Sequence, residues 1–414
     1  MPPLARNFSS LPNEVLHMIF TTLTHSAEPK SLHNLLSVSQ RIHAIAKPLL
    51  YRHVAIYCGC HYNESADCKG FRRCLDALVY SITANNAALG GLVKFFELVV
   101  PRCAVDHGEE QWTGQAVEAL LPYLPNLRKL VVIYIGDSDW RTSTLKVTPN
   151  PSNLTHLSLL YVYDYPEFLS FLGLCPRLEY LAVSLVEDNN DHLPGVTAPD
   201  IVPRLRGACA SADFLYFCLL IGRRVEHINI TTERITEAID NAADMDALAL
   251  PMSLARSLTI EAPHSMDALL RADVIAPYSG LEFLAVNTPA SITTTDVRVL
   301  GERWPKKIRY LYLRCLCCTP DHDTIAETFL SALPSLILLD IEIGGAVSSA
   351  SPRCSRYFRA NPIEKETDIS FSFPVSCVFR GDLWFEEVED LIHKRLGRAG
   401  GAVEDNLENI RPVL

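Results

Sequence analysis

From about residue 92 the chain repeats one hydrophobic pattern: an apolar residue, a second three positions later, and a third two after that. It occurs at Phe95/Leu98/Val100, Leu127/Leu130/Val132, Leu154/Leu157/Leu159 and Leu178/Leu181/Val183. It continues at Val225/Ile228/Ile230, Ala255/Leu258/Ile260, Leu281/Leu284/Val286, Ile308/Leu311/Leu313 and Leu336/Leu339/Ile341. The alternation at the end of each copy predicts a short strand buried on one face. Helical faces are readable between copies, as in Val117/Leu120/Leu121/Leu124, Phe168/Leu169/Leu172 and Ile325/Phe329/Leu330. Lead-ins such as Leu124-Pro125-Asn126-Leu127, Cys175-Pro176-Arg177-Leu178 and Leu333-Pro334-Ser335-Leu336 end a helix and open the turn into the strand. A strand and a helical return recurring about every 27 residues predict stacked units around a parallel sheet. An ordinary α/β domain with leucine-rich strands is the competing fold.

The N-terminal stretch follows another period. Val15, Leu16, Ile19, Phe20 and Leu23 share one face of a predicted helix over residues 12–23, capped by Ser9 or Ser10. A second short helix from Ser31 carries Leu32, Leu35, Leu36 and Val38. A third carries Ile42, Ile45, Ala46, Leu49 and Leu50, and Pro48 is expected to bend or end it. Three short helices make a thin core, which leans on a neighbour or a partner.

These residues resemble an F-box. The run Leu11-Pro12-Asn13-Glu14-Val15-Leu16-His17-Met18-Ile19-Phe20 looks like its opening. Leu35-Leu36-Ser37-Val38-Ser39-Gln40-Arg41-Ile42 and Ala46-Lys47-Pro48-Leu49-Leu50-Tyr51-Arg52-His53-Val54 follow in order. Ser39 stands where the family often has Cys, and His43 replaces an aromatic or small residue. The resemblance implies docking on the adaptor subunit of a cullin–RING ubiquitin ligase, with Leu11, Pro12, Ile19 and Phe20 at the adaptor-binding positions. It also implies a cullin scaffold as partner and a protein client held by the rest of the chain.

The repeats resemble leucine-rich repeats, without the family's Asn or Cys ladder: its places hold Ile135, Val162, Val186, Glu233, Pro263, Pro289, Leu316 and Gly344. The long interval between Leu178 and Val225 contains Glu187–Pro203, expected to be an exposed loop, as are residues 137–153 and 343–368. The expected fold class is therefore α/β: a small three-helix F-box-like segment, 8–56, then a connecting segment, 57–91. An irregular leucine-rich-repeat-like solenoid with a parallel sheet follows at 92–345, then a C-terminal cap helix and tail, 346–414. The tail's helix is expected over Leu383–Leu396, with Trp384, Val388, Leu391 and Ile392 on one face.

In such a solenoid the residues between core positions line the concave face. One column reads Val131, Ser158, Ala182, Asn229, Thr259, Ala285, Tyr312, Asp340; its neighbour reads Lys129, His156, Tyr180, His227, Ser257, Phe283, Tyr310, Leu338. Tyr310, Tyr312 and Arg314 cluster late and are the candidate client-binding residues, since aromatics and Arg anchor protein interfaces. The alternative is that C-terminal helices or a loop cover this face.

Composition narrows the partner. Lys plus Arg number 37 against 48 Asp plus Glu, a net charge of −11, which excludes a general pull on nucleic acid or anionic lipid. The longest wholly apolar run is Phe214–Ile221, too short to span a bilayer. Met1–Ser10 has neither a basic leader nor an apolar core, so no secretion signal is expected, and the 13 cysteines are expected as reduced thiols in the cytoplasm or nucleus.

Catalytic signatures are missing: no phosphate loop, dinucleotide fingerprint, nucleophile elbow or HExxH occurs. Cys58, Cys60, His61, Cys68 and Cys74 have ligand chemistry for zinc but no paired CxxC, and Cys315, Cys317 and Cys318 follow a strand. Asp321-His322-Asp323 and His107-Gly108-Glu109-Glu110 precede predicted helices, where acidic residues are favoured by capping alone. No catalytic residue, metal or cofactor is expected. The predicted role is a non-catalytic substrate receptor of a ubiquitin ligase; the alternative is a repeat scaffold whose F-box-like segment only caps the solenoid. A hydrolase or metal enzyme is the remaining, disfavoured class.

Overall fold

Polar residues at strand entries and apolar residues at alternate strand positions set the architecture seen in the computed structural model. It describes residues 11–25, 33–57, 66–84, 88–100, 110–134, 145, 148–162, 165–185, 201–215, 219–220, 223–231, 251–261, 275, 277–288, 292–315, 322–343, 353–358 and 366–367. The described residues fall into two compact units, one ending at Leu154 and the other beginning at Thr155.

The first unit opens with α1 (Asn13–His25) and α2 (Gln40–Arg52). Between them, His33–Leu35 is helical and closes in a turn at Leu36–Val38, in line with the expected second short helix, whose start lies outside the described residues. Its bonds are three-residue ones, Leu36 N–H to His33 O at 3.1 Å and Val38 N–H to Leu35 O at 3.2 Å. Ser39 is the N-cap of α2, its Oγ accepting from the Ile42 N–H at 3.2 Å. Pro48 does not end α2, which runs on to Arg52. Ile42, Ala46 and Leu49 are buried on one face, and that burial outweighs the single backbone bond that Pro48 lacks. The chain then passes directly into β1 (His53–Tyr57), a strand the sequence reading did not separate from the helical segment.

After α3 (Ala66–Ala84) come β2 (Phe95–Val100), α4 (Glu110–Leu120) and β3 (Lys129–Tyr134). β1, β2 and β3 are parallel, with His53 opposite Phe95 and Phe95 opposite Lys129. That register corrects the first repeat. Phe96 and Leu98 pair with Leu130 and Val132, so the core triplet is Val93/Phe96/Leu98, not Phe95/Leu98/Val100. All three are fully buried. Asn126 Nδ2 donates to Gly91 O at 2.7 Å and Asn150 Nδ2 to Pro125 O at 3.0 Å, stitching one turn to the next. Gly90 has no room for a side chain: an added Cβ would meet Tyr123 O at 2.0 Å.

The second unit holds β4 (His156–Val162), β5 (Tyr180–Leu185), β6 (Gly207–Ala210), β7 (His227–Ile230), β8 (Ser257–Glu261), β9 (Phe283–Thr288), β10 (Tyr310–Cys315) and β11 (Leu338–Ile343). They lie side by side in sequence order, all parallel. Helix α5 (Tyr165–Gly173) returns β4 to β5, α6 (Thr294–Arg303) returns β9 to β10, and α7 (His322–Ala332) returns β10 to β11. A capping box, Thr293 with Asp296, starts α6.

Two sequence expectations change here. The long interval between Leu178 and Val225 holds an extra repeat, Leu205 followed by Ala208 and Ala210 on β6, hidden because its strand is Gly-Ala-Cys-Ala; most of the loop expected over Glu187–Pro203 lies outside the described residues. Residues 343–368 are not all loop: β12 (Arg353–Phe358) pairs antiparallel with β11, and β13 (Glu366–Thr367) pairs with β12. The predicted tail helix over Leu383–Leu396 lies outside the described residues.

In place of the absent Asn ladder, the strand entries carry alternating charge. Successive entry residues Arg206, Glu226, Arg256, Glu282 and Arg309 are linked through their backbones, as in Glu226 N–H to Arg206 O at 2.8 Å. Their side chains pair too, Arg206 with Glu226 at 3.0 Å, Arg256 with Glu282 at 3.3 Å and Arg309 with Glu282 at 3.8 Å.

Candidate functional site

The F-box-like segment is built around one apolar cluster, Leu16, Phe20, Ile42, Ala46 and Leu49, with Leu11, Ile19, Leu35, Leu36, Ile45 and Leu50 packed at its margin. The four expected adaptor-binding residues therefore separate. Phe20 is wholly buried as a core residue, Leu11 and Ile19 are half-buried, and Pro12 is exposed. Among the described residues of this segment, the large apolar side chains open to solvent are Met18, 66% exposed, and Val38, 61% exposed, neither of which the motif reading assigned to the adaptor. Arg41 fixes the start of α1: its guanidinium donates to Asn13 Oδ1 at 2.8 Å and to the Leu11 carbonyl at 2.5 Å.

In the second unit, the apolar strand positions such as Leu157, Leu181, Ile228, Leu258, Leu284, Leu311 and Leu339 form the core on one side of the sheet. The opposite face carries the two predicted columns in register. His156, Tyr180, Gly207, His227, Ser257, Phe283, Tyr310 and Leu338 make one row; Ser158, Ala182, Cys209, Asn229, Thr259, Ala285, Tyr312 and Asp340 make the other. Neither row is open: Ser158, His227, Asn229, Ser257, Tyr310, Tyr312 and Asp340 are all buried.

The structure does bring Tyr310, Tyr312 and Arg314 together, but their polar atoms are used within the sheet. Tyr310 Oη donates to Asp340 Oδ2 at 3.0 Å, Tyr312 Oη donates to a Glu342 carboxylate oxygen, and Arg314 Nε lies 3.3 Å from Glu342 Oε1. Burial, then the Glu342 charge, pushes the Tyr312 phenol far up, so it remains a donor. Burial pushes the His227 imidazole down to about 4 from 6.5, against the raising effect of Glu226 and with Arg206 and Arg256 adding to the fall. His227 is neutral at pH 7. His156 stacks on Tyr180 with ring centroids 4.7 Å apart.

The metal candidates give little to build on. Cys58, Cys60, His61 and the Cys68 side chain lie outside the described residues, as do Cys317, Cys318, Asp321 and His107–Glu109. Cys74 is an exposed free thiol. Asp323 accepts from Tyr357 Oη at 3.0 Å. Among the described residues no group of three His, Cys, Asp or Glu could hold a metal ion, and no helix is long and apolar enough to cross a membrane.

Residues 8–57 match the F-box-like family, which spans the helical segment and β1. The chain is thus an α/β protein in which an F-box-like segment, a protein-interaction module, precedes a leucine-rich-repeat-like parallel sheet. No curated protein sequence matches it. Among solved structures it is similar to an internalin (inlF) from Listeria monocytogenes, at 15% identity and a TM-score of 0.29 over 56% of this chain and 62% of that one. It is also similar to the leucine-rich repeat-containing protein LegL7 from Legionella pneumophila, at 14% identity and a TM-score of 0.33 over 66% of this chain and 81% of that one. The aligned part thus falls short of two thirds of the internalin's length.

Proposed function

We propose that this protein is the substrate-recognition subunit of a cullin–RING ubiquitin ligase. The observation that carries the proposal is the F-box-like match over residues 8–57, on a segment whose own small core leaves Pro12, Met18 and Val38 facing solvent. In this reading an adaptor covers Pro12, Met18 and Val38 together with the half-buried edges of Leu11 and Ile19. Phe20 supports that surface from beneath. The adaptor links the chain to the cullin scaffold, and the repeat region holds a protein client. The receptor forms no bond itself: it acts by proximity, keeping the client beside a ubiquitin-charged enzyme, in the cytoplasm or nucleus.

One observation favours a second reading, a scaffold whose F-box-like segment only caps the sheet. α2 runs without a linker into β1, the Lys94 N–H donates to the Arg52 carbonyl at 2.9 Å, and the Arg52 guanidinium lies 5.6 Å from the Phe95 ring centroid.

Co-purification with the adaptor separates the two. The intact chain is expected to bring it down, and Met18→Asp with Val38→Asp to abolish capture while leaving the thermal midpoint unchanged. Ile19→Asp and Phe20→Asp are poorer probes, because Phe20 belongs to the core. An intact, folded chain that brings down no adaptor leaves the scaffold reading standing.

A further inference from the structure

We infer that β1 is the pairing edge of a symmetric dimer, in which the β1 strands of two copies of this chain run antiparallel about Ala55. The inference is independent of the ligase reading. β1 is the first strand in the sheet, and among the described residues no strand pairs with its outer edge. Its backbone is aimed there. The register sets His53, Phe95 and Lys129 side by side, and the Lys129 N–H reaches back to the Lys94 carbonyl at 3.1 Å. His53 stands in the same row with no described strand behind it. On the inner edge the Arg52 carbonyl accepts from the Lys94 N–H at 2.9 Å. Because successive residues of a strand point their backbone groups to opposite edges, Arg52, Val54 and Ile56 serve β2, and His53, Ala55 and Tyr57 turn outward.

The strand carries none of the usual guards. Exposed edges are commonly blunted by Pro, Lys or an inward charge, whereas β1 reads His-Val-Ala-Ile-Tyr. Its imidazole leans away from the edge, with Nε2 3.4 Å from Glu97 Oε1 on β2. The core is also unfinished here: Val54 and Ile56 are only half-buried, while their partners Phe96 and Leu98 are wholly buried. At the last parallel strand, by contrast, Leu339 and Ile341 are buried beside β12. A second β1 supplies what is missing, and the strand matches itself in one register. With the two Ala55 residues opposite one another, His53 of each copy faces Tyr57 of the other, and Val54 faces Ile56. Every outward N–H and C=O of His53, Ala55 and Tyr57 then meets its counterpart. Val54 and Ile56 carry the apolar face across the joint, and no charge opposes a like charge. A slip of one residue would set outward groups against inward ones. The contact is isologous, so it closes at two copies, and one short strand makes a weak, concentration-dependent dimer.

Sedimentation of the full-length protein over a hundredfold range of concentration should show the mass rising from one chain towards two. Ala55 is exposed and faces its own copy at the axis, so Ala55→Lys and Ala55→Glu each set like charges against one another. Each variant alone is expected to weaken association at least tenfold, with its thermal midpoint in dilute solution unchanged. An equimolar mixture of the two is expected to recover association as a mixed dimer. Ala55→Pro, which removes only an outward N–H, should weaken association to a similar degree. A single chain at every concentration, a mass beyond two chains, association indifferent to these variants, no recovery on mixing, or a lowered midpoint each overturns the inference.

Discussion

Arg314 Nε lies 3.3 Å from Glu342 Oε1, and Glu342 also accepts from the buried Tyr312 phenol, so this carboxylate is matched from two sides. Arg314→Ala leaves Glu342 buried with one charge partner gone, and should destabilise the second unit by about 2–4 kcal/mol, less than a fully buried pair because Arg314 is partly exposed. Adding Glu342→Gln should recover most of that loss. Urea denaturation of the single and double variants checks it: no recovery in the double variant means that the pair is not coupled.

The F-box-like segment separates folding from docking at neighbouring positions. Phe20→Ala opens a cavity in a core of five residues and is expected to cost about 3–5 kcal/mol, whereas Met18→Ala should change stability by less than about 0.5 kcal/mol. Thermal melts of the two variants test this, and equal losses would show that Met18 is also packed.

His227 gives the stability a pH dependence of known sign. Its imidazole titrates at about 4 in the folded chain against 6.5 ordinarily. Between those values the unfolded chain binds the proton and the folded chain does not, so stability falls as pH drops from 6.5 towards 4, by up to about 3 kcal/mol. Above pH 6.5 both forms are neutral and the contribution vanishes. His227→Gln removes this dependence, so its melting point relative to the parent should rise steadily from pH 7 to pH 5. A constant offset over that range contradicts the assignment.

Helices α6 and α7 touch at a glycine: an added Cβ at Gly301 would stand 2.2 Å from the Ala332 Cβ. Gly301→Ala should destabilise by about 1–3 kcal/mol through overpacking, despite the better helix propensity of alanine. Ala332→Gly in the same chain should restore part of it. A stabilising Gly301→Ala on its own would mean that the helices can part freely.

Much of the fold is legible wherever large apolar side chains carry the period. Leu130/Val132 and Leu311/Leu313 fall on β3 and β10 as the pattern predicts, with Leu127 and Ile308 just ahead of them. The first triplet slips by two because Val93/Phe96/Leu98 and Phe95/Leu98/Val100 both fit the spacing, and apolar character alone does not say which is the repeat. Only pairing with Lys129 and Leu130 settles it. β6 escapes because Ala208 and Ala210 bury too little area to register as a repeat, although neighbouring strands hold them in line. At the docking segment the motif finds the right residues but not their depth. Phe20 and Met18 are two positions apart on one helix, so they point to different faces, and the packing of α2 decides which is inside.

The antiparallel β12 has a consequence for assembly. A stack of parallel repeats ends in a bare strand that another copy could extend in the same register, and a chain of repeats is prone to such growth. Here Leu338–Ile343 is matched along its length by Arg353–Phe358 running the other way, followed by the two-residue β13. Among the described residues, the C-terminal edge that a second copy would meet is a reversed strand followed by a two-residue one. The reversal therefore disfavours parallel extension of the sheet by a second copy at this side.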